Sequence, residues 1–329
     1  MPRHRPLDRR QFLRRTGIGL VALPLVDLES LAAQPLLRRS RVAVVRTADR
    51  KRGVTEALRL LDLRAVRDRQ VVIKPNFNSA DEAPGSTHND TLSQLVSELH
   101  ERGARGITVG ESSGPPQTRS VMEQKGTYDL ARDFRFDVVD FEQLPEQEWV
   151  PVRAAHWPEG FHVPRLVAQS EYTVATCCLK THGFGGVFTM SLKLAVGLTP
   201  KSIRRGMHRS PDMRRMIAEL NTGYTPQLIV LDGVTAFTDG GPSKGELAHA
   251  QVMIAGDDRI AVDAVGLAVL KEVGANDAIM GRGSFAQEQI AHAVELGLGV
   301  SSPAQIELVA GDAASRAYAA KLRPILDLG

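Results

Sequence analysis

The sequence predicts an α/β fold in three layers, a mostly parallel sheet with helices on both faces. Three observations lead there. Short apolar runs recur without polar alternation, the pattern of strands covered on both sides. Segments of helical periodicity fall between them. The intervening lengths suit crossovers from one parallel strand to the next. With 329 residues and 43% hydrophobic content, the chain has enough apolar material for one large core or two modest ones. Residues 40–329 read as a single domain, interrupted by an irregular excursion over 142–169.

Taken in order, residues 41–47 (RVAVVRT) give a strand and 54–61 an apolar-periodic helix. A second strand, 71–73, runs into Lys74-Pro75-Asn76-Phe77-Asn78, where Pro75 stops regular pairing. Leu92, Leu95, Val96 and Leu99 recur at helical spacing and Gly103 marks the stop. Residues 107–109 and 136–141 are further strands, the first ending in Gly110-Glu111-Ser112-Ser113-Gly114. Over 142–169 the pattern breaks into Trp-, Pro- and His-containing extended pieces. A strand over 173–178 follows, then Lys180, Thr181 and His182 at its expected end, then Gly183, Gly185 and Gly186. Glycines there permit a tight turn or close approach of backbone to a ligand. Residues 187–196 read as a helix carrying Lys193 among apolar neighbours, and Pro211 as the start of a helix over 212–220. Strands are expected at 228–231, 251–255 and 306–310, with helices at 260–273 and 284–296.

The N-terminus reads as an address. Asp8-Arg9-Arg10-Gln11-Phe12-Leu13 matches a twin-arginine signal, residues 16–26 are weakly apolar and too short to span a bilayer, and Ala32 and Ala33 offer a cleavage site. Residues 1–33 are therefore expected to be a signal peptide recognised by the twin-arginine export machinery, with a basic amphipathic leader that stays attached as the alternative, and the mature protein is expected in the periplasm without a transmembrane span. Six Arg against three acids in that segment account for the whole formal charge of +3. The neutral body argues against nucleic acid as a partner, because phosphate binding needs a basic face. Cys177 and Cys178 are adjacent, so they point to opposite faces of a strand and do not form an ordinary disulfide.

The stretch LKTHGFGGVFTMSLKLAVGL (179–198) resembles the Lys-Thr-His and glycine-rich segment of the family catalogued as domain of unknown function 362. The likeness extends to VVIKPNFN (71–78), GESSG (110–114), LDGVTAFTDGGPSKG (231–245) and AGDDRIAVDAVG (255–266). Leu194 and Ala195 follow Lys193 where an Asn often sits in the family. The resemblance implies an α/β domain, in some members joined to iron–sulfur modules, and no settled activity.

Lys74 and Asn76, Glu111, Lys180 and His182, Asp232, and Asp257 each follow an expected strand. In an open parallel sheet the carboxyl ends share one rim, where ligands bind. Lys180 and Lys193 would neutralise an anion, His182 would carry protons or ligate, and Glu111 would accept protons. Lys74, Asn76, Gly183, Gly185, Gly186 and Asp232 would hold the cofactor. Each also has an ordinary reading: Lys180 as a solvated cation, Asn76 and Asp232 as turn residues, Glu111 as a cap. Asp263, among apolar helix residues, needs a partner if buried. His88, His156, His162 and His208 show no ligand spacing, so no metal ligand is assigned.

Familiar signatures are absent. Gly183-Phe184-Gly185-Gly186 lacks the third glycine of a dinucleotide fingerprint, and there is no phosphate loop, zinc-protease motif or serine elbow. Two cysteines cannot hold an iron–sulfur cluster. Redox chemistry would call for another cofactor or a redox partner protein. The leading expectation is an exported α/β enzyme binding a small anionic organic molecule or a metal-containing cofactor at the rim. Nickel-pincer racemases offer an analogy by residue type alone. The alternatives are a non-catalytic periplasmic anion- or metal-binding protein, and a scaffold docking through the basic strip 201–215.

Overall fold

The computed structural model describes residues 39–328, so the twin-arginine segment lies outside the described residues. The strands among them are β1 (Ser40–Arg46), β2 (Gln70–Lys74), β3 (Gly106–Glu111), β4 (Asp137–Asp140), β5 (Trp149–Ala154) and β6 (Trp157–Pro164), then β7 (Tyr172–His182), β8 (Val187–Thr189), β9 (Leu228–Gly240), β10 (Gly245–Ala248), β11 (Val252–Gly256) and β12 (Ile306–Val309). The main sheet runs β12-β1-β11-β9-β7-β2-β3-β4. Its neighbours pair parallel except for β11, which lies antiparallel between β1 and β9. β8 and β10 extend the ends of β7 and β9 as antiparallel additions, and β5 and β6 form a separate hairpin in the excursion.

Helices cover both faces, and the strand side chains show it. Along β7, Ala175, Cys177 and Leu179 enter one apolar cluster while Tyr172 and Val174 enter another. β1, β9 and β11 divide their residues the same way. The first cluster is closed by the helices Arg259–Glu272 and Ala313–Asp327, the second by Arg50–Arg59 and Asn89–Glu101. The fold is thus α/β in three layers about a mostly parallel sheet. No helix among the described residues is long and apolar enough to cross a membrane.

Several expected boundaries move. β7 does not stop at Cys178: it continues to His182, with Lys180 paired to Thr189 and His182 to Val187. Residues 187–189, read as the start of a helix, are the strand that makes this pairing, and helix begins only at Ser191. β9 likewise runs past Asp232 to Gly240, because β11 and then β10 supply it with partners. Asp232 is therefore within a strand. Asp257 follows β11, the reversed strand within the main strand order, and so lies at the opposite end of the sheet, where Ser40 Oγ, at the start of β1, donates to it at 2.7 Å. The basic segment after Pro200 forms the helix Lys201–Arg209 in addition to Met213–Leu220, and Ala313–Asp327 is a C-terminal helix the sequence reading did not anticipate.

The helix Arg259–Glu272 is buried along nearly its whole length and is capped by Asp258, whose carboxylate accepts from the Ile260, Ala261 and Val300 amides at 2.9–3.0 Å. Replacing Asp258 by Ala removes the cap and orphans the Val300 N–H. A loss of about 2–3 kcal/mol is expected from these two effects, seen as a lower urea midpoint at unchanged slope.

Candidate functional site

At the carboxyl ends of β2, β3, β7 and β9 lies a cavity of about 1090 Å³, lined by residues that follow or close those strands. Its lining includes the cations Lys74, Lys193, Lys201, Arg204, Arg205 and Lys244 against one carboxylate, Glu111. Asn76, His182 and Gly183 also line it. Lys180, Gly185, Gly186 and Asp232 do not.

The Glu111 carboxylate is consumed locally. Lys74 Nζ meets Glu111 Oε1 at 2.5 Å and donates to the Pro75 carbonyl at 2.7 Å. The Phe77 and Ser112 amides donate to the two carboxylate oxygens at 2.7 and 2.8 Å. Burial pushes the Lys74 amine down and the Glu111 charge partly restores it. A Cβ at residue 197 would stand 2.7 Å from Lys74 Nζ and 2.8 Å from Glu111 Oε1, so only glycine lets the backbone lie against this pair. Arg204, unforeseen in the sequence, is equally engaged: it donates to the Ser113 carbonyl at 2.6 Å, the Ser112 hydroxyl at 2.6 Å and the Thr199 carbonyl at 3.0 Å. It locks the end of β3 to the segment that carries Lys193.

Lys180 is fully buried behind the cavity wall. Its Nζ donates to the Gly85 carbonyl at 2.5 Å and the Pro242 carbonyl at 3.0 Å. Two loops are thereby tied to β7, and burial lowers the amine to about 8. Asp232 lies on β9, where it meets Arg50 at 2.8 Å, accepts from the Thr91 hydroxyl at 2.8 Å and from the Val234 amide at 3.0 Å. These two residues hold the scaffold and do not reach the lining.

His182 and Lys193 remain. The Gly186 amide donates to His182 Nδ1 at 3.1 Å, so a neutral ring carries its proton on Nε2. A Cβ at residue 186 would sit 2.8 Å from His182 Nδ1 and 2.9 Å from Lys193 Cε, which explains a glycine there and makes the two side chains neighbours. Burial, then the Lys193, His208 and Lys180 charges, drive His182 down to about 2. The ring is therefore a hydrogen-bond donor at neutral pH and not the near-neutral titrating group its residue type implies. Lys193 is 8% exposed, lines the cavity and has no hydrogen bond or ion pair among the described residues. Burial, with Lys180 and Arg204 nearby, lowers it to about 7.

Lys193 is placed by a buried acid. Asp263 is fully buried in the helix Arg259–Glu272 and accepts from the Ser191 amide at 2.8 Å and the Leu192 amide at 2.9 Å. These hydrogen bonds tie the carboxylate to the start of the short helix Ser191–Leu194, and the Arg259 charge also acts on it. Two further groups wait on the lining: Asn76 Oδ1 and Thr189 Oγ1 are buried without hydrogen-bond partners among the described residues. Arg204, Arg205 and His208, which the sequence shows only as parts of a basic strip and as a histidine without ligand spacing, lie on the helix Lys201–Arg209 and line the cavity. The signal was present in the i, i+4 pairs Ile203/Met207 and Arg204/His208.

A family model described as Domain of unknown function (DUF362) matches residues 71–268, a span that contains all of the motif residues above. No curated protein matches the sequence. Among solved structures, the chain is similar to the lactate racemase apoprotein from Thermoanaerobacterium thermosaccharolyticum, with TM-score 0.47 and 11% identity over 85% of each chain.

Glu111→Ala leaves Lys74 buried and unpaired and should cost about 3–5 kcal/mol. Adding Lys74→Met should recover part of that loss, the remainder belonging to the Phe77 and Ser112 amides. Chemical denaturation of the three variants checks both statements.

Proposed function

The chain belongs to the DUF362 family, and from that premise we propose that it binds an anionic organic molecule in the rim cavity and moves a proton on it. The supporting observation is Lys193, a buried lysine without a partner at the wall of a cavity already rich in cations. An unpaired buried cation is costly, and an anion beside it removes that cost. The volume exceeds what an inorganic ion fills and lies just above the usual small-molecule range of about 300–1,000 Å³. Lys193 supplies charge in its protonated form and a base in its neutral form, and a group near 7 serves either role at physiological pH. His182 Nε2–H, Asn76 Oδ1 and Thr189 Oγ1 would orient polar atoms of the ligand. Gly183 would present backbone, whereas Lys74, Glu111, Lys180 and Asp232 support the walls.

A metal-containing anionic cofactor falls within the same proposal. The lining offers it cations and amide donors, and of metal-ligating side chains it contains His182, His208 and the already engaged Glu111. Such a cofactor would thus arrive with its own ligands. Export through the twin-arginine route, which carries folded proteins, accords with a ligand acquired before translocation. It rests on Arg9 and Arg10, and changing both to Lys should retain a fused reporter inside the cell.

Native purification followed by mass analysis of the released small molecule tests the binding proposal. Lys193→Met should abolish retention of that molecule while the ligand-free variant melts higher than wild type. A fully retained ligand in this variant would refute the assignment. Chemical change of the ligand on incubation separates an enzyme from a non-catalytic binder.

The pH dependence follows from the lowered amine. Free protein holds Lys193 neutral above about 7, while an unfolded lysine stays charged to about 10.4. The free fold therefore loses stability as pH falls from the upper value to the lower. Anion binding restores the charge, so binding takes up a proton above pH 7 and affinity should fall by up to about tenfold per pH unit there. Calorimetry in two buffers of different ionisation enthalpy reads the proton uptake directly.

A further inference from the structure

Away from the rim, three segments distant in sequence bring His156, Glu219 and His292 together, with one ligand atom of each within 4.8 Å of the others. His156 closes the β5–β6 hairpin, Glu219 lies on Met213–Leu220 and His292 on Glu288–Glu295. We propose that these residues form a binding site for a divalent transition-metal cation of the zinc type.

The hydrogen bonding around the cluster carries the argument. His292 Nδ1 lies 2.7 Å from the Glu295 carboxylate, which in the neutral ring, the form that binds a metal, places the proton on that nitrogen. The opposite nitrogen, Nε2, then faces Glu219 Oε1 at 3.4 Å with its lone pair. Two acceptors point at each other across that gap. His156 Nδ1 approaches the same Glu219 oxygen at 2.6 Å, and the two imidazoles meet edge to face with centroids 5.3 Å apart. Glu219 is 1% exposed, and its other oxygen accepts the His156 backbone N–H at 3.0 Å, so the carboxylate is held with Oε1 toward the rings.

A cation at the common point of these atoms satisfies all of them. Metal–ligand distances of about 2.0–2.1 Å place tetrahedral donors about 3.3 Å apart, close to the observed His292–Glu219 separation. His156 would withdraw from Glu219, now at 2.6 Å, and its ligand nitrogen, which lies within 4.8 Å of that of His292, would settle at the same spacing from it. Two imidazoles and a carboxylate suit zinc and its neighbours better than calcium or magnesium, and the Glu295–His292 contact is the outer carboxylate that metal-bound histidines ordinarily carry. His156 and His292 keep 21% and 12% of their side chains exposed, so a fourth position is open to water. The ion would tie the excursion hairpin to two helices of the body, adding to the hydrogen bond that Trp157 Nε1 donates to the Met216 carbonyl at 3.2 Å.

The test uses the full chain after chelator treatment, titrated with Zn²⁺ alone by calorimetry and followed by thermal melting. One equivalent should bind and raise the midpoint. His156→Ala, His292→Ala and Glu219→Gln should each abolish the stoichiometric binding and the thermal gain, and Glu295→Gln should weaken binding by about 10–100-fold. His162→Ala, on the same hairpin but outside the cluster, should change neither. Circular dichroism of the variants separates lost binding from lost fold. Wild-type protein that binds no stoichiometric zinc, or a folded His156→Ala/His292→Ala double variant that binds it as wild type does, overturns the proposal.

Discussion

An eleven-residue strand buried at every position, β7, ends in Lys180 and His182, and much of the rim is built to make that tolerable. A charged amine and an imidazole inside a sheet must be hydrogen-bonded or neutral. Lys180 takes carbonyls from the loops after β2 and β9, which brings those loops onto the strand. His182 takes the Gly186 amide, which turns the chain back as β8. The cavity walls are thus the surroundings that two ionisable residues in one strand require. Lys193 is the exception, buried next to His182 without a partner, and the functional proposal rests on that contrast.

The layered architecture was legible because doubly covered strands leave little room for polar residues, so runs such as 71–73, 173–178 and 251–255 stand out from the helices between them. Strand ends were not legible at the centre of the sheet. Lys180 and Asp232 read as terminators because polar side chains usually leave a strand there. In the structure each finds its own buried partners, two carbonyls for Lys180 and Arg50 with Thr91 for Asp232, and the strands continue. The reversed direction of β11 had no local signal either, since pairing sense depends on partners far away in the chain. That reversal is why Asp257 lies away from the rim.

At the site, Lys74, Asn76, Glu111, His182, Gly183 and Lys193 were singled out by position and do line one cavity. Their division of labour was hidden, because it depends on which charges neutralise each other. Glu111 is spent on Lys74 and two amides, whereas Lys193 is left unspent. His156, Glu219 and His292 lay beyond sequence reading altogether: 63 and 73 residues separate the histidines from the glutamate, and no short spacing connects them.

Cys177 and Cys178 project to opposite faces of β7, and both are wholly enclosed. Burial raises the Cys178 thiol to about 11 and the Cys177 thiol well above its usual value, so neither is nucleophilic in the folded protein. The pair therefore acts as a built-in opening reporter. An alkylating reagent gains access only when a covering layer lifts from the middle of the sheet, and which of the two sulfurs it tags first tells which layer that was.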